Sequence, residues 1–179
     1  MPFNKTKKYP ELLEIGQYSE FNRKKVLKAI FDRDIEDNSN FKFRNKTIRP
    51  IKGEDLDLNR TFKHLITEKI EVENDETGKK YSKRIFEMDR SKRIHWIKYH
   101  IEENKKDKVE IFSVEERDLE KRKDVIRTYI YDITQKYIVV LEPQRSETDY
   151  YIITAYYLNK SYGVKQMKKK MKKKLDEVY

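Results

Sequence analysis

The chain has 179 residues, enough for one ordinary domain with a sizeable core, and carries 42 Lys and Arg against 32 Asp and Glu, a net charge of +10. Charged residues make up 41%, a level typical of disorder, but 13 Tyr and 12% aromatics overall supply what a core needs, so the chain reads as folded beneath a charged skin. The absence of cysteine excludes disulfides, thiolate catalysis and cysteine-based zinc sites, and the basic excess favours polyanionic partners, nucleic acid first. The opening stretch MPFNKTKKYPELL has no apolar h-region and no window nears the length of a membrane span, so no transmembrane segment is expected and the expected location is the cytoplasm.

In chain order, Met1 to Gly16 offer only Leu12, Leu13 and Ile15 as apolar anchors. Ser19 is a plausible N-cap for a packing helix marked by Phe21, Val26, Leu27, Ile30 and Phe31 and ending near Asp34. Asp37 to Asn40 reads as a turn, Phe41 to Arg44 as a short strand opposite Thr47 to Arg49 with Asn45-Lys46 between, and Pro50 and Gly53 as breakers. Ile66 to Val72 and Tyr81 to Phe86, joined by a polar turn containing Gly78, make a second hairpin, with His64 beginning its strand or ending the loop before it. These pieces form an expected N-terminal α+β extension over residues 1–80, ahead of a main domain over 81–179.

From Asp89 to about Glu103 the stripe Ile94, Ile97, Ile101 predicts one helix, whose adjacent face gathers Asp89, Arg93, Trp96 and His100 and leaves His95 pointing away. Val109 to Val114 reads as a short strand and Glu115 to Lys123 as a solvated linker. Three runs rich in Ile, Val, Thr and Tyr then predict an antiparallel meander: Val125 to Ile133, Lys136 to Leu141, and Asp149 to Leu158. Their turns are Thr134-Gln135, then Pro143 with Gln144 to Glu147. In the first run Val125, Arg127, Tyr129 and Tyr131 oppose Ile126, Thr128, Ile130 and Asp132; in the third, Tyr151, Ile153, Ala155 and Tyr157 oppose Ile152, Thr154, Tyr156 and Leu158. One face should cover a core and the other should show Tyr, Thr and Arg to a partner. Val164, Met167, Met171, Leu175 and Val178 mark the seam of a terminal helix, and Lys160 to Tyr179 holds eight lysines against two acids.

The order RSKRIHWIKYHI, RTYIYDITQKYIVVLE, YYIITAYYLNK, with Arg93 and Trp96 in the helix and Thr154-Ala155-Tyr156 ending the last strand, resembles the phage-associated branch of the barnase, EndoU, colicin-type tRNase and RelE (BECR) ribonucleases. The likeness covers about Arg84 to Lys174. It implies an α+β fold of helices on a central antiparallel sheet, and a metal-independent endoribonuclease of toxin or phage-associated type. It also implies tRNA or another structured RNA as substrate, with a cognate inhibitor or antitoxin protein as partner. Carried over residue by residue, Arg127 matches the arginine opening the first strand, and Thr154 and Tyr156 the T-A-Y ending.

Cleavage by 2′-hydroxyl attack needs a base, an acid and cations for the phosphorane. The expected catalytic set is therefore Arg127 on phosphate and Thr154 and Tyr156 lining the site, with His100, Arg93 and Lys136 as second-rank candidates for proton transfer or charge stabilisation. Lys168, Lys169, Lys170, Lys172, Lys173 and Lys174 would track an RNA backbone, and Trp96 would stack a base or pack in the core. No metal or cofactor is expected. The R-x4-H of Arg90 to His95 and R-x6-H of Arg93 to His100 fit the helical HEPN ribonucleases, but the Tyr/Ile/Val strands argue against that fold. A non-catalytic RNA-binding or protein-binding module is the rival class.

Overall fold

The computed structural model describes residues 7–49, 58–144 and 148–179. Helix α1 (Glu20–Phe31) starts where Ser19 Oγ accepts from the Asn22 amide, buries Leu27, Ile30 and Phe31, and runs on into a π-type turn, Asp32–Glu36. Strands β1 (Lys42–Phe43) and β2 (Lys46–Arg49) flank a two-residue turn in which Arg44 and Asn45 both have positive φ, 47° and 68°. Positive φ at both central positions gives the twist that joins adjacent strands tightly, and it sets the turn one residue earlier than the sequence reading. The breakers Pro50 and Gly53 and the acceptors of the 144–147 turn beyond Gln144 lie outside the described residues.

Helix α2 (Asn59–Ile66) takes up His64, which neither begins a strand nor ends a loop. It buries Phe62, Leu65 and Ile66, and strands β3 (Thr67–Glu73) and β4 (Lys80–Phe86) follow as a separate two-stranded hairpin. The helix expected over Asp89 to Glu103 is two short pieces, α3 (Met88–Ser91) and α4 (Trp96–Ile101). Their junction is forced by competing partners. The Asp89 carbonyl, which a continuous helix would give to the Arg93 amide, instead accepts from the Arg93 guanidinium at 2.6 Å, and the Lys92 carbonyl accepts from the Leu13 amide at 3.0 Å. The re-aimed chain buries Ile94, His95, Trp96, Ile97, His100 and Ile101 together, more than one stripe of a straight helix could.

Strands β5 (Val109–Asp118), β6 (Lys123–Asp132), β7 (Tyr137–Pro143) and β8 (Asp149–Tyr157) form the expected antiparallel run. The whole sheet is mixed, in order β1-β2-β8-β7-β6-β5, because β2 lies parallel to β8 with Ile48 beside Tyr150. The fold is α+β. The predicted linker Glu115 to Lys123 is instead the charged end of β5 and a turn; β5 is an edge strand, and charges there block pairing with another chain. The alternation predicted for the last strand fails at one point. Val140 pairs with Thr154 but Leu141 with Ile152, so Ile153 is an extra, bulged residue. Ile152 and Ala155 therefore share one core while Ile153, Tyr156 and Leu158 meet the other.

Both sheet faces are covered, where one was expected to stay open. The larger core joins Leu13, Leu27, Phe31, Phe43, Phe62 and Leu65 to Ile97, Ile130, Val139 and Tyr150, so residues before and after position 80 build one interior, and β4 itself begins at Lys80. The smaller core sets Phe112, Tyr129, Ile138 and Val140 under Met167 of α5 (Ser161–Met171). The expected helix stops at Met171. Beyond it the Leu175 amide donates to the Ser113 carbonyl at 2.8 Å and the Tyr179 amide to Ser113 Oγ at 3.0 Å, so the chain covers the exposed edge of β5.

At the end of β6, fully buried Asp132 ties these layers together. Its carboxylate accepts from Tyr9 Oη at 2.6 Å, Lys105 Nζ at 2.8 Å, His100 Nε2 at 3.1 Å and the Gln135 amide at 3.0 Å. Burial pushes this carboxyl up, but the bonds from His100, Lys105 and Tyr9 outweigh it and hold it well below the usual carboxylate range. A depressed folded pKa means the stabilisation is complete above the unfolded value of ~3.9 and is lost as pH falls from there through the folded value. Asp132→Asn should cost about 3–5 kcal/mol, seen as a lower denaturant midpoint at unchanged slope near pH 7, with much of that deficit gone under strong acid. A wild-type midpoint at pH 7 would show that the cluster does not hold the fold.

Candidate functional site

Where β8 runs out and α5 begins, the chain makes a tight corner. The Leu158 amide donates to the Lys136 carbonyl at 2.8 Å, and the Gly163 amide to the Lys160 carbonyl at 3.0 Å. A Cβ on Gly163 would lie 2.9 Å from Leu158 Cδ2, so glycine lets α5 seat directly on Leu158. Beside this corner opens a cleft of about 230 Å³. Its floor is Tyr156 and Tyr157 of β8; one wall is Glu68 of β3 with Glu87 and Arg90 at α3; the other is Lys160, Tyr162, Gln166 and Lys170 along α5. Helix α5 has no side-chain cap and no acid in its first turn, so its positive end adds to the potential there.

Arg90 is held in place by backbone: Nη1 donates to the carbonyls of His64 at 2.9 Å and Thr67 at 2.7 Å, and the guanidinium sits 5.9 Å from the Tyr156 ring centroid. Its buried Nε has no partner. Burial lowers the pKa of this guanidinium while Glu87 raises it. Arg84, outside the cleft lining, reaches the same Thr67 carbonyl at 3.3 Å. Burial, with help from Glu116, pushes the Tyr156 hydroxyl up to about 12, leaving it a proton donor through the neutral range. Glu87 caps α3 through the amides of Asp89 and Arg90, whereas Glu68 lies 3.9 Å from Lys160 and acts on Arg90 through its charge. Lys170 is paired with Glu116, which also accepts from Tyr129 Oη at 2.9 Å.

Of the catalytic set expected from the sequence, Tyr156 alone lines this cleft. Arg127 shares its face of the sheet but lies between two carboxylates, 2.7 Å from Asp118 on β5 and 2.8 Å from Glu142 on β7. Thr154 is half-buried opposite Val140 at the bulge. Arg93 stacks on the Tyr157 ring at 3.9 Å and lies 5.3 Å from the Trp96 ring. Trp96, 1% exposed, packs edge-on to Tyr9 and Tyr137 and presents no ring face to solvent. Lys136 sits exposed in the β6–β7 turn with φ of 51°. Lys168, Lys169, Lys172, Lys173 and Lys174 are exposed, and Lys170 is half-buried.

The histidines serve elsewhere. His100, 1% exposed, places Nδ1 2.7 Å from the Trp96 carbonyl and Nε2 3.1 Å from the Asp132 carboxylate. His95 is buried on the Glu11 carbonyl, and burial pushes it down to about 4. His64 contacts Arg84 at 3.4 Å through Nδ1. Among the described residues no cluster of three or more His, Cys, Asp or Glu could hold a metal ion, and no helix is long and apolar enough to cross a membrane. Arg90, Glu68, Lys160 and Gln166 escape the sequence reading; the one signal for them was nearness, Arg90 one turn before Arg93 and Lys160 four residues after Tyr156. The chain matches no family model, no curated protein and no solved structure.

Arg127→Ala would take the guanidinium from between Asp118 and Glu142, leaving Glu142 with Lys121 at 2.9 Å, and should cost about 3 kcal/mol in stability while RNA affinity of the folded fraction stays within about twofold. Denaturant titration beside gel-shift measurements tests this; a stable variant that no longer binds RNA would return Arg127 to the site.

Proposed function

We propose that the protein is a metal-independent endoribonuclease acting at the cleft beside α5. The observation that carries this reading is that Tyr156, Arg90, Glu68 and Lys160 all line one cavity, next to a helix of exposed lysines. Of these, Tyr156 belongs to the T-A-Y ending that the resemblance to BECR ribonucleases singles out, while Arg90, Glu68 and Lys160 are supplied by this fold. In this reading Glu68 takes the 2′-hydroxyl proton as O2′ bonds to phosphorus. The P–O5′ bond breaks, Tyr156 protonates the departing oxygen, and Arg90 with Lys160 bears the phosphorane charge. The products are a 2′,3′-cyclic phosphate and a 5′-hydroxyl. The lysines of α5 supply salt-sensitive grip on the backbone.

A second reading, RNA binding without cleavage, is favoured by the fact that none of the three histidines lines the cleft. Incubation with total RNA in EDTA separates the two. The nuclease reading expects discrete fragments ending in cyclic phosphate, with Glu68→Gln and Tyr156→Phe each slowing cleavage between about 100- and 10,000-fold while RNA binding is kept. Intact RNA that is nonetheless shifted on a gel would overturn the nuclease reading in favour of binding. Cleavage unaffected by either substitution would overturn the assignment to this cleft.

A further inference from the structure

Resting on the reading of the cleft as an RNA site, we infer that it admits a single unpaired nucleotide and discriminates single-stranded RNA from duplex. Three features point there. The cavity, about 230 Å³, is bounded on one side by Glu68 of β3 and on the other by α5, a space of the order of one nucleotide and far too small for a double helix. Tyr162, 53% exposed in the first turn of α5, holds an aromatic face at the rim, where a splayed-out base can stack. The exposed side chain of Gln166, one helical turn further along the same wall, makes no hydrogen bond with the described residues, leaving its amide donor and acceptor for a base edge or a 2′-hydroxyl. Charge selects the kind of ligand. Arg90 and Lys160 line the cleft, and the exposed Lys165, Lys168 and Lys169 of α5, with Lys172 just past its end, offer positive charge to the strand flanking the captured nucleotide.

Binding of an unstructured 2′-O-methylated oligonucleotide, which lacks the attacking hydroxyl, is compared by fluorescence anisotropy with the same strand annealed to its complement. The single strand should bind at least about tenfold more tightly, and Tyr162→Ala should weaken single-strand binding roughly 5- to 150-fold while changing duplex binding little. Gln166→Ala should also weaken the single strand selectively, whereas Lys168→Gln with Lys169→Gln should weaken both forms alike and flatten the salt dependence. Tyr162 and Gln166 are exposed, so thermal midpoints near wild type confirm that the variants fold. Equal affinity for strand and duplex, or full single-strand affinity in Tyr162→Ala, would overturn this inference and leave the cleft's RNA reading intact. Failure of both forms to bind would overturn the inference and the cleft's RNA reading together.

Discussion

A fully buried carboxylate is costly unless every lone pair is met, and Asp132 is the point at which this fold meets that demand. Its partners come from four places: Tyr9 in the N-terminal segment, His100 in α4, Lys105 in the loop after it, and the Gln135 amide in the β6–β7 turn. One charge therefore fixes how the N-terminal segment, the broken helix and the sheet meet. Tyr9 is locked further by stacking on Tyr99 at 4.2 Å and by edge contacts with Trp96 and His100. With that face sealed, α5 and the hairpin are left to shape a cavity on the other side.

Much of this architecture is legible in the sequence. Runs of Ile, Val and Tyr announce β6, β7 and β8; Ser19 announces α1; Val164, Met167 and Met171 announce the lysine-rich helix α5. Periodicity cannot show competition for a backbone group, so the break between α3 and α4, set by Arg93 and the Leu13 amide, stays hidden. The Ile153 bulge stays hidden for a related reason, since only the partner strand reveals which residue is left over. The charged end of β5 imitates a linker because an edge strand carries charges that a central strand could not.

The candidate site was legible only at Tyr156 and Lys170. Side-chain chemistry alone favours histidines and the strand arginine, and those groups meet carboxylates and carbonyls instead: His100 on Asp132, Arg127 on Asp118 and Glu142. A cation on a covered sheet face finds a protein partner before it finds a phosphate. Glu68 and Arg90 come to the cleft from elements far from Tyr156 in sequence, and nothing short of the fold brings them together.

The central claim is that RNA enters between β8, the β3–β4 hairpin and α5. Photocrosslinking with RNA carrying 4-thiouridine, followed by peptide mapping, tests it most directly. Crosslinks should concentrate on the segment from Tyr156 to Lys170, with Tyr162 foremost. Crosslinks confined to the opposite end of the sheet, around Arg127 and Lys123, would contradict the account.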